Sequence, residues 1–355
     1  MIKIYNKNIG DGNPCYITFE IGPTHQGVDS AKRLIKHSFD AGADAVKFQI
    51  FDPDRLVADK KQMFSYGVLK DKDSEEIEII EEPLYDILLR RCLSSDQWME
   101  LKRYCDQLGI AFFSTVGFDE DIQLLEKLGC HSIKIASADV NHFPLLRNAA
   151  KTGMCIQLDT GMATLGEIER AVNVIRSEGN ESIIIHHCPS GYPARLESIN
   201  LKVIQTLKKM FPYPVAFSDH TPGNEMDIAA VALGANMVEK TITENRMIKS
   251  VEHVMSIEPK DMRKFVKSIE ELEIGLGTGR REMSEEELNK RNTIRRSIFF
   301  TSDCKIGQRI SDCKIEFRRP GYGITPDQYD EIKNMQLTKD IKSGEMLKFK
   351  DLKWS

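Results

Sequence analysis

The chain has 355 residues, 41% of them hydrophobic, which is enough for one large domain with a smaller one appended. A formal net charge of −5, without a basic tract, argues against nucleic acid as a partner. No apolar run approaches the roughly 18 residues of a membrane span, and the N-terminus lacks a signal-peptide pattern. Eight cysteines without a CxxC pair are typical of reduced thiols, so we expect a cytoplasmic protein.

Eight short β-rich runs alternate with amphipathic stretches of helical period. In chain order they cover 15–22, 44–51, 111–116, 132–137, 155–161, 182–188, 214–220 and 237–243. Strands that alternate with helices pair in parallel, and eight such units predict an α/β protein with a closed (β/α)8 TIM barrel. An open, doubly wound sheet is the competing architecture, which the eightfold count disfavours.

Two segments depart from this alternation. The stretch 52–95 is too long for an ordinary strand-to-helix connection, and loops of that size often act as lids or lack order. After a barrel domain at 1–280, residues 281–294 are polar and charged, which predicts a linker. Residues 295–355 contain short β-like runs and turn signals, so we expect a small β-rich second domain that packs on something larger.

The predicted carboxyl ends of the strands, where TIM barrels carry their chemistry, are rich in polar side chains. Lys47 and Lys134 lie inside otherwise apolar strands, where a charge is costly unless it has a partner. They could form structural ion pairs with Glu20 or Glu239, bind a phosphate or carboxylate, or act as Schiff-base nucleophiles. An anion pocket is the favoured interpretation.

Three histidines lie at strand ends. His186 and His187 are adjacent, so they point to opposite faces and only one of them enters the barrel. His220, in "SDHT", ends its strand and is the best single candidate for a metal ligand, with Glu239 as a second.

The motifs "FEIGPTHQG", "VKFQ", "IKIAS", "HCPSGYP", "FSDHTPG", "GANMVEK" and "EHVMSIEP" follow one another along the chain. In their order and spacing the chain resembles the sialic acid (N-acetylneuraminate) synthase family, which includes legionaminate, pseudaminate and spore-coat polysaccharide synthases. The C-terminal "RRSIFFTSDCKIGQRIS" and "LTKDIKSGEMLKFKDL" resemble its antifreeze-like (SAF) domain. The resemblance implies a nonulosonic acid synthase that condenses phosphoenolpyruvate with N-acetylmannosamine or a diacetamido-trideoxyhexose and releases phosphate.

The resemblance also implies roles for individual residues. The catalytic set is Glu20, Lys47, Lys134 and Glu239, and the phosphoenolpyruvate-binding set is Lys47, Lys134, Ser137, Thr160 and Ser218. The sugar-binding set is Gln49, Asp139, Tyr192, Glu252 and Arg319. In the family an arginine of the SAF domain reaches the partner's site in a domain-swapped homodimer. Arg319 matches that position, with Arg318 as the adjacent alternative.

The family's divalent metal polarises the aldehyde oxygen and is held by the histidine of "SDHT" and a second histidine in "EKH". Here the second motif reads "EKT", so His220 remains and Thr241 replaces its partner. A hydroxyl binds such ions more weakly than imidazole, although a water-rich Mn²⁺ or Mg²⁺ site tolerates it. The metal is therefore retained weakly through His220, rescued by His25 or His253, or lost; we expect weak retention of Mn²⁺ or Mg²⁺.

Two rival functions stay open at this point. The first is a Schiff-base pyruvate aldolase on the same barrel, with Lys134 as the nucleophile. The second is a catalytically impaired sugar-binding homologue that lost its chemistry with Thr241. The motif "GPTHQG", where the family usually has an Asn-His pair, and Asp139 in place of a glutamate weaken the expectation of N-acetylmannosamine more than that of phosphoenolpyruvate. The sequence also leaves open whether the acceptor is phosphorylated.

Overall fold

The computed structural model describes residues 2–73 and 75–354, and it divides into two compact units at 1–277 and 278–355. The first unit is a closed barrel of eight parallel strands, each paired with its neighbours in chain order, with the last pairing the first. The strands are β1 Tyr16–Glu20, β2 Ala45–Gln49, β3 Ala111–Val116, β4 Ser132–Ile135, β5 Cys155–Asp159, β6 Ile183–His187, β7 Val215–Asp219 and β8 Met237–Thr241. The predicted TIM barrel is confirmed.

A long helix follows each strand and covers the outside of the barrel. These helices are Val28–Ala41, Ser95–Leu108, Asp119–Lys127, Phe143–Lys151, Leu165–Ser177, Val203–Met210, Glu225–Ala232 and Pro259–Leu276. Short helices at Pro53–Leu56, Leu84–Leu89 and Leu196–Ile199 lie in the connections. Capping residues set several helix boundaries. Ser94 and Thr164 begin the helices Ser95–Leu108 and Leu165–Ser177 with capping boxes, and Gly42 and Gly109, in the left-handed conformation, end the helices Val28–Ala41 and Ser95–Leu108.

The amino ends of the barrel strands are sealed by apolar side chains. An N-terminal hairpin of Ile2–Ile4 and Lys7–Ile9 lies there. Its isoleucines form one cluster with inward-facing residues near the start of the strands, among them Tyr16, Phe113 and Met237. This plug excludes water from the amino end of the barrel, so the polar interior opens toward the carboxyl ends.

The described part of the long segment after β2 forms regular secondary structure and docks on the loop after β8. It forms an antiparallel hairpin of Met63–Asp71 and Glu76–Pro83, followed by the helix Leu84–Leu89. Tyr66, Val68 and Ile87 pack with Val251 of the β8 loop. Lys72 adds an ion pair, with its Nζ 2.5 and 2.6 Å from the two carboxylate oxygens of Glu258.

The second unit has its own small core. Its helix Glu285–Ile294 lies within the segment predicted as a linker and buries none of its residues within the unit. The strands Ser297–Phe300 and Ile315–Arg318 pair antiparallel. Short helical turns lie at Ile310–Asp312, Pro326–Gln328, Tyr329–Ile332 and Phe349–Asp351, and the core contains Ile298, Phe300, Ile324 and Leu347. In the described residues of either unit, no helix is long and apolar enough to cross a membrane.

Candidate active site

Side-chain alternation along the barrel strands decides which polar groups face inward. Because successive residues point to opposite faces, Tyr16, Thr18 and Glu20 on β1 share one face, as do Ala45, Lys47 and Gln49 on β2. The strand register places Thr241 beside Glu20, Glu20 beside Lys47, and Ser218 beside Glu239. The inner layer near the carboxyl ends is therefore polar, above the apolar plug.

Two buried lysines and three carboxylates form the centre of this layer. Lys47 forms an ion pair with Glu20, and its Nζ lies 3.0 Å from Glu239 Oε1. The Nζ of Lys134 lies 2.7 Å from Glu239 Oε2 and 3.0 Å from Asp159 Oδ1. Glu239 thus bridges the two lysines, and all five residues are buried. The sequence-predicted catalytic residues come together, and both lysines form ion pairs within this cluster.

His186 extends the cluster through hydrogen bonds that define its tautomer. Gln157 donates from Nε2 to Ser132 Oγ, so its Oε1 faces His186 Nε2 at 3.1 Å. His186 therefore donates from Nε2, and its Nδ1 accepts from Lys134 Nζ at 3.0 Å. Burial and the nearby Lys134 charge lower the pKa of His186 well below its usual range, so the ring is neutral.

The two glutamates of the cluster have opposite pKa shifts. Burial, with a contribution from Glu239, outweighs the attraction of Lys47 and raises the pKa of Glu20 from 4.5 to about 7. Burial also acts on Glu239, but Lys134 and Lys47 together outweigh it and lower the pKa of Glu239. Near neutral pH the site therefore holds one carboxyl that is half protonated beside one that stays ionised.

A tight corner between the ends of β4 and β5 gathers hydroxyl groups. The amide of Gly161 donates to Ser137 Oγ at 3.0 Å, and Thr160 Oγ1 donates to the carbonyl oxygen of His186 at 2.7 Å. A Cβ atom on Gly161 would lie 2.7 Å from Ser137 Oγ and 2.8 Å from Ser190 Oγ, so only glycine fits there. Ser218 Oγ lies within 3.2 Å of Lys134 Nζ and 3.1 Å of Asp159 Oδ1.

The rim between β7 and β8 carries the residues expected at the sugar and the metal. The ring centroids of Tyr192 and His220 lie 4.8 Å apart. Since Asp219 pairs with Lys240, the next residues on the two strands, His220 and Thr241, are neighbours. Thr241 Oγ1 donates to Glu252 Oε2 at 3.2 Å. Glu252 has a φ of 71°, a left-handed conformation that is costly for a non-glycine residue and recurs at functional sites.

Few side chains on the rim between β7 and β8 are free to bind a metal ion. His220 Nδ1 donates to the carbonyl oxygen of Pro189 at 3.0 Å, which leaves Nε2 available. Both oxygens of Glu239 are taken by lysines. Across residues 2–73 and 75–354, no group of three or more His, Cys, Asp or Glu side chains is arranged to hold a metal. One imidazole nitrogen beside a hydroxyl fits a weakly held, water-rich Mn²⁺ or Mg²⁺ ion.

The other histidines considered from the sequence have partners of their own. The ring of His25 packs between Phe48 and Trp98, and burial lowers its pKa to about 4. His253 Nδ1 contacts Thr243 Oγ1 at 2.7 Å. His187 faces the helical layer, where Nε2 lies 2.6 Å from the carbonyl oxygen of Ile199. His186 alone of the adjacent pair enters the barrel, as predicted.

Lys240 organises the "SDHT" loop from the outer face of the barrel. Its Nζ forms an ion pair with Asp219, lies 3.3 Å from Asp227 Oδ2, and donates to the carbonyl oxygen of Thr221 at 2.6 Å. Thr221 in turn donates to Asp219 from its amide and its hydroxyl. This buried set fixes the backbone on both sides of His220, so Lys240 has a structural role.

The remaining predicted sugar contacts lie on separate elements. Gln49 is half-buried on the inner face of β2, and the half-buried Asp139 ends the turn Ser137–Asp139. Burial raises the pKa of Asp139. Arg319 is exposed in the second unit, directly after the strand in which Arg318 pairs with Glu316. The role of Arg319 stays a prediction.

Comparison with known proteins defines the class. The model of the NeuB family matches residues 34–281, and that of the SAF domain matches residues 295–353. The chain therefore belongs to the NeuB family, the family of sialic-type acid synthases, with a C-terminal SAF domain.

Several relatives are similar over nearly their whole length. The N,N'-diacetyllegionaminic acid synthase of Campylobacter jejuni is 33% identical over 94% of this chain and 98% of its own. A pseudaminic acid synthase of the same species is 30% identical over 98% and 99%. The crystal structure of the N-acetylneuraminic acid synthetase from Leptospira borgpetersenii in complex with citrate superposes with a TM-score of 0.71, at 30% identity over 81% and 94%. These relatives make different sugar acids, so the likeness leaves the acceptor undetermined.

Sequence reasoning did not assign functions to His186, Gln157 or Asp159, which complete the ion-pair network. Alternation puts Gln157 and Asp159 on one face of β5, but the strand register that places this face and His186 beside Lys134 comes from the structure. Sequence reasoning also gave no role to Arg91, which follows the helix Leu84–Leu89 in the long segment after β2.

Proposed function

We propose that the protein condenses phosphoenolpyruvate with an N-acetylated hexose aldehyde and releases phosphate, as a nonulosonic acid synthase. The observation that carries this proposal is the carboxylate of Glu239, which bridges Lys47 and Lys134 beside a ring of hydroxyls at the open end of the barrel. The two lysines are already buried, so they can exchange a carboxylate partner for a multiply charged anion without further desolvation of their ammonium groups.

Phosphoenolpyruvate suits the charge distribution of this pocket. Lys47 and Lys134 would turn to its phosphate and carboxylate, and Ser137 would donate to its oxygens. Thr160 and Ser218 would also donate to the substrate by turning from the His186 carbonyl and from Asp159. The incoming negative charge favours the protonated form of Glu20, whose pKa already lies at about 7. Binding would then take up a proton near neutral pH, which limits repulsion between the substrate and the carboxylates.

The reaction divides between the two glutamates. Carbon 3 of phosphoenolpyruvate forms a bond to the aldehyde carbon, whose oxygen becomes a hydroxyl by accepting a proton, and Glu20 is the group that holds one at neutral pH. Positive charge develops at carbon 2, where the ionised Glu239 stabilises it. Water adds at carbon 2 and returns one proton to Glu20. The C–O bond to phosphate then breaks, the remaining hydroxyl proton leaves with the phosphate, and the new keto acid is left.

The acceptor would lie on the β7–β8 rim, between Tyr192 and Glu252, with Gln49 and Asp139 as further contacts. When bound there, Mn²⁺ or Mg²⁺ would polarise the aldehyde oxygen and would take His220 Nε2, water and substrate oxygens as ligands. We also propose a homodimer in which Arg319 reaches the site of the partner, as the resemblance implies.

The rival aldolase chemistry has less support. A Schiff-base nucleophile must be a neutral, desolvated amine, whereas Lys134 Nζ contacts two carboxylates and His186 Nδ1. Borohydride added with pyruvate would trap such an enzyme covalently, and we expect no adduct here. An inactive sugar-binding homologue would bind the acceptor without turnover.

The test uses phosphoenolpyruvate labelled with ¹⁸O at the oxygen that bridges carbon 2 and phosphorus, incubated with N-acetylmannosamine or a diacetamido-trideoxyhexose. The proposal predicts cleavage of the C–O bond, which leaves the label in the released phosphate. Label retained in pyruvate would indicate P–O cleavage by a phosphatase and would refute the proposal.

A further inference from the structure

We propose that Arg91 binds the acceptor sugar, as a guanidinium that the site keeps without an ion-pair partner. This inference rests on the proposed function. Arg91 lies just after the helix Leu84–Leu89, at the end of the hairpin segment, and is only 6% exposed. Its one hydrogen bond within the described chain runs from Nε to the carbonyl oxygen of Ile87, at 3.1 Å.

The neighbouring Arg90 shows how unusual this is. Arg90 donates from Nη1 and Nη2 to the two oxygens of Glu82 at 2.8 and 2.6 Å, and it is solvent-exposed. Arg91 is buried, and in the part of the chain that the structure describes no carboxylate oxygen lies within 4.0 Å of its nitrogens. The Nη atoms of Arg91 are not among the buried side-chain atoms that lack a partner in the described chain, so they reach solvent, where a ligand can accept their hydrogen bonds.

Packing places Arg91 over the mouth of the barrel. Ile87, one turn earlier, is in the apolar cluster with Val251, and Val251 directly precedes Glu252. Glu252 reaches Thr241 at the carboxyl end of β8. Arg91 therefore belongs to the wall formed by the hairpin segment and the β8 loop.

The electrostatics agree with this position. Burial lowers the pKa of Arg91, while the charges of Glu252 and Glu20 act in the opposite direction. The Arg91 charge, in turn, adds to burial in lowering the pKa values of His25 and His253. The Arg91 guanidinium therefore acts electrostatically on His25, which follows β1, and on His253, which follows β8.

The neighbours of Arg91 favour the acceptor as its ligand. Ser137 and Thr160, proposed for phosphoenolpyruvate, follow β4 and β5, and Lys47 on β2 is already paired with Glu20, whereas Arg91 lies on the wall that carries Glu252, a proposed acceptor contact. The planar fork of a guanidinium matches two adjacent oxygen acceptors. The acetamido carbonyl of the acceptor, together with a neighbouring hydroxyl, supplies such a pair.

The test separates the two substrates. Arg91→Met is compared with wild type and with Arg90→Met, which removes the adjacent exposed arginine. We expect Arg91→Met to lower kcat/KM for the N-acetylated acceptor by about 10- to 100-fold, mainly through KM, because a charged hydrogen bond is lost. In Arg91→Met the Kd of phosphoenolpyruvate, measured by calorimetry without acceptor, should stay within about twofold of the wild-type value. In Arg90→Met both kcat/KM for the acceptor and the Kd of phosphoenolpyruvate should stay within about twofold of wild type.

A second set of variants keeps the proposal falsifiable if Arg91→Met folds poorly. Arg91→Lys retains the charge but loses the fork, so we expect an intermediate KM. Methylguanidine added to Arg91→Ala should restore part of the acceptor affinity. Unchanged acceptor kinetics, an equal loss of phosphoenolpyruvate affinity, or an effect only on a phosphorylated acceptor would each overturn the proposal.

The failure of this proposal is distinguishable from failure of the proposed function. If the wild-type protein releases no phosphate with any acceptor, the synthase function is wrong. Calorimetry with N-acetylmannosamine and a diacetamido-trideoxyhexose then decides the role of Arg91 alone. Sugar binding that Arg91→Met abolishes supports the role, and binding that survives the substitution, or no binding by wild type, refutes it.

Discussion

Lys134 holds the candidate site together electrostatically, and replacing it with methionine tests that claim. Its Nζ contacts Glu239 at 2.7 Å and Asp159 at 3.0 Å in a fully buried position. Lys134→Met leaves Asp159 without its cation and Glu239 with Lys47 alone. Breaking a buried pair by removing one partner costs about 3–5 kcal/mol, which lowers the Tm of a unit of this size by roughly 6–20 °C.

The assay is thermal unfolding followed by the fluorescence of Trp98, which is buried in the barrel unit, whereas Trp354 lies exposed in the second unit. Lys267→Met, which breaks the surface pair with Glu271, is the matched control and should leave Tm unchanged. The double variant Lys134→Met/Glu239→Gln should lose less stability than the sum of the single variants, by about 1–3 kcal/mol. A Lys134→Met protein as stable as the Lys267→Met control would refute the ion-pair account.

Three further predictions concern Glu20, Lys240 and Thr241. Because Glu20 has a folded pKa of about 7, above its ordinary 4.5, its contribution to stability is complete below about pH 4.5 and is lost as pH rises through 7. The Kd of phosphoenolpyruvate should likewise rise about tenfold from pH 6 to pH 8, and Glu20→Gln should flatten this profile in calorimetry; an unchanged profile would contradict the assignment. Lys240→Met leaves two buried carboxylates without their cation, so its Tm should fall about as far as that of Lys134→Met, and a wild-type Tm would argue against the structural role. Thr241→His should tighten Mn²⁺ binding at least about tenfold by electron paramagnetic resonance, since it adds an imidazole beside His220; equal affinity would contradict that adjacency.

The barrel could be predicted because its signals are local. Each strand is a short run of apolar and β-branched residues, each helix has its own amphipathic period, and parallel pairing follows from their alternation. The same logic placed Lys47, Lys134 and Glu239 at strand ends. The pattern does not show which groups the two lysines contact, because a lysine inside a barrel can bind a carboxylate, a ligand or both.

Features that depend on contacts between distant segments could not be predicted. The hairpin segment docks through Lys72 and Glu258, 186 positions apart, and nothing near either residue indicates the other. The different roles of Arg90 and Arg91 follow from which of them the docked hairpin buries. The hydrogen bond between Thr241 and Glu252 requires an unusual loop conformation at Glu252 that no short motif encodes.

The central claim is that this site couples phosphoenolpyruvate to a sugar aldehyde, and the most direct test is phosphate release from phosphoenolpyruvate across a panel of N-acetylated hexoses. The assay is run with Mn²⁺ or Mg²⁺, again after chelation, and in parallel with Lys134→Met. The account predicts release that depends on the sugar, slows on chelation, recovers with added metal and disappears in the variant. Release without any sugar, or no release with any member of the panel, would contradict it.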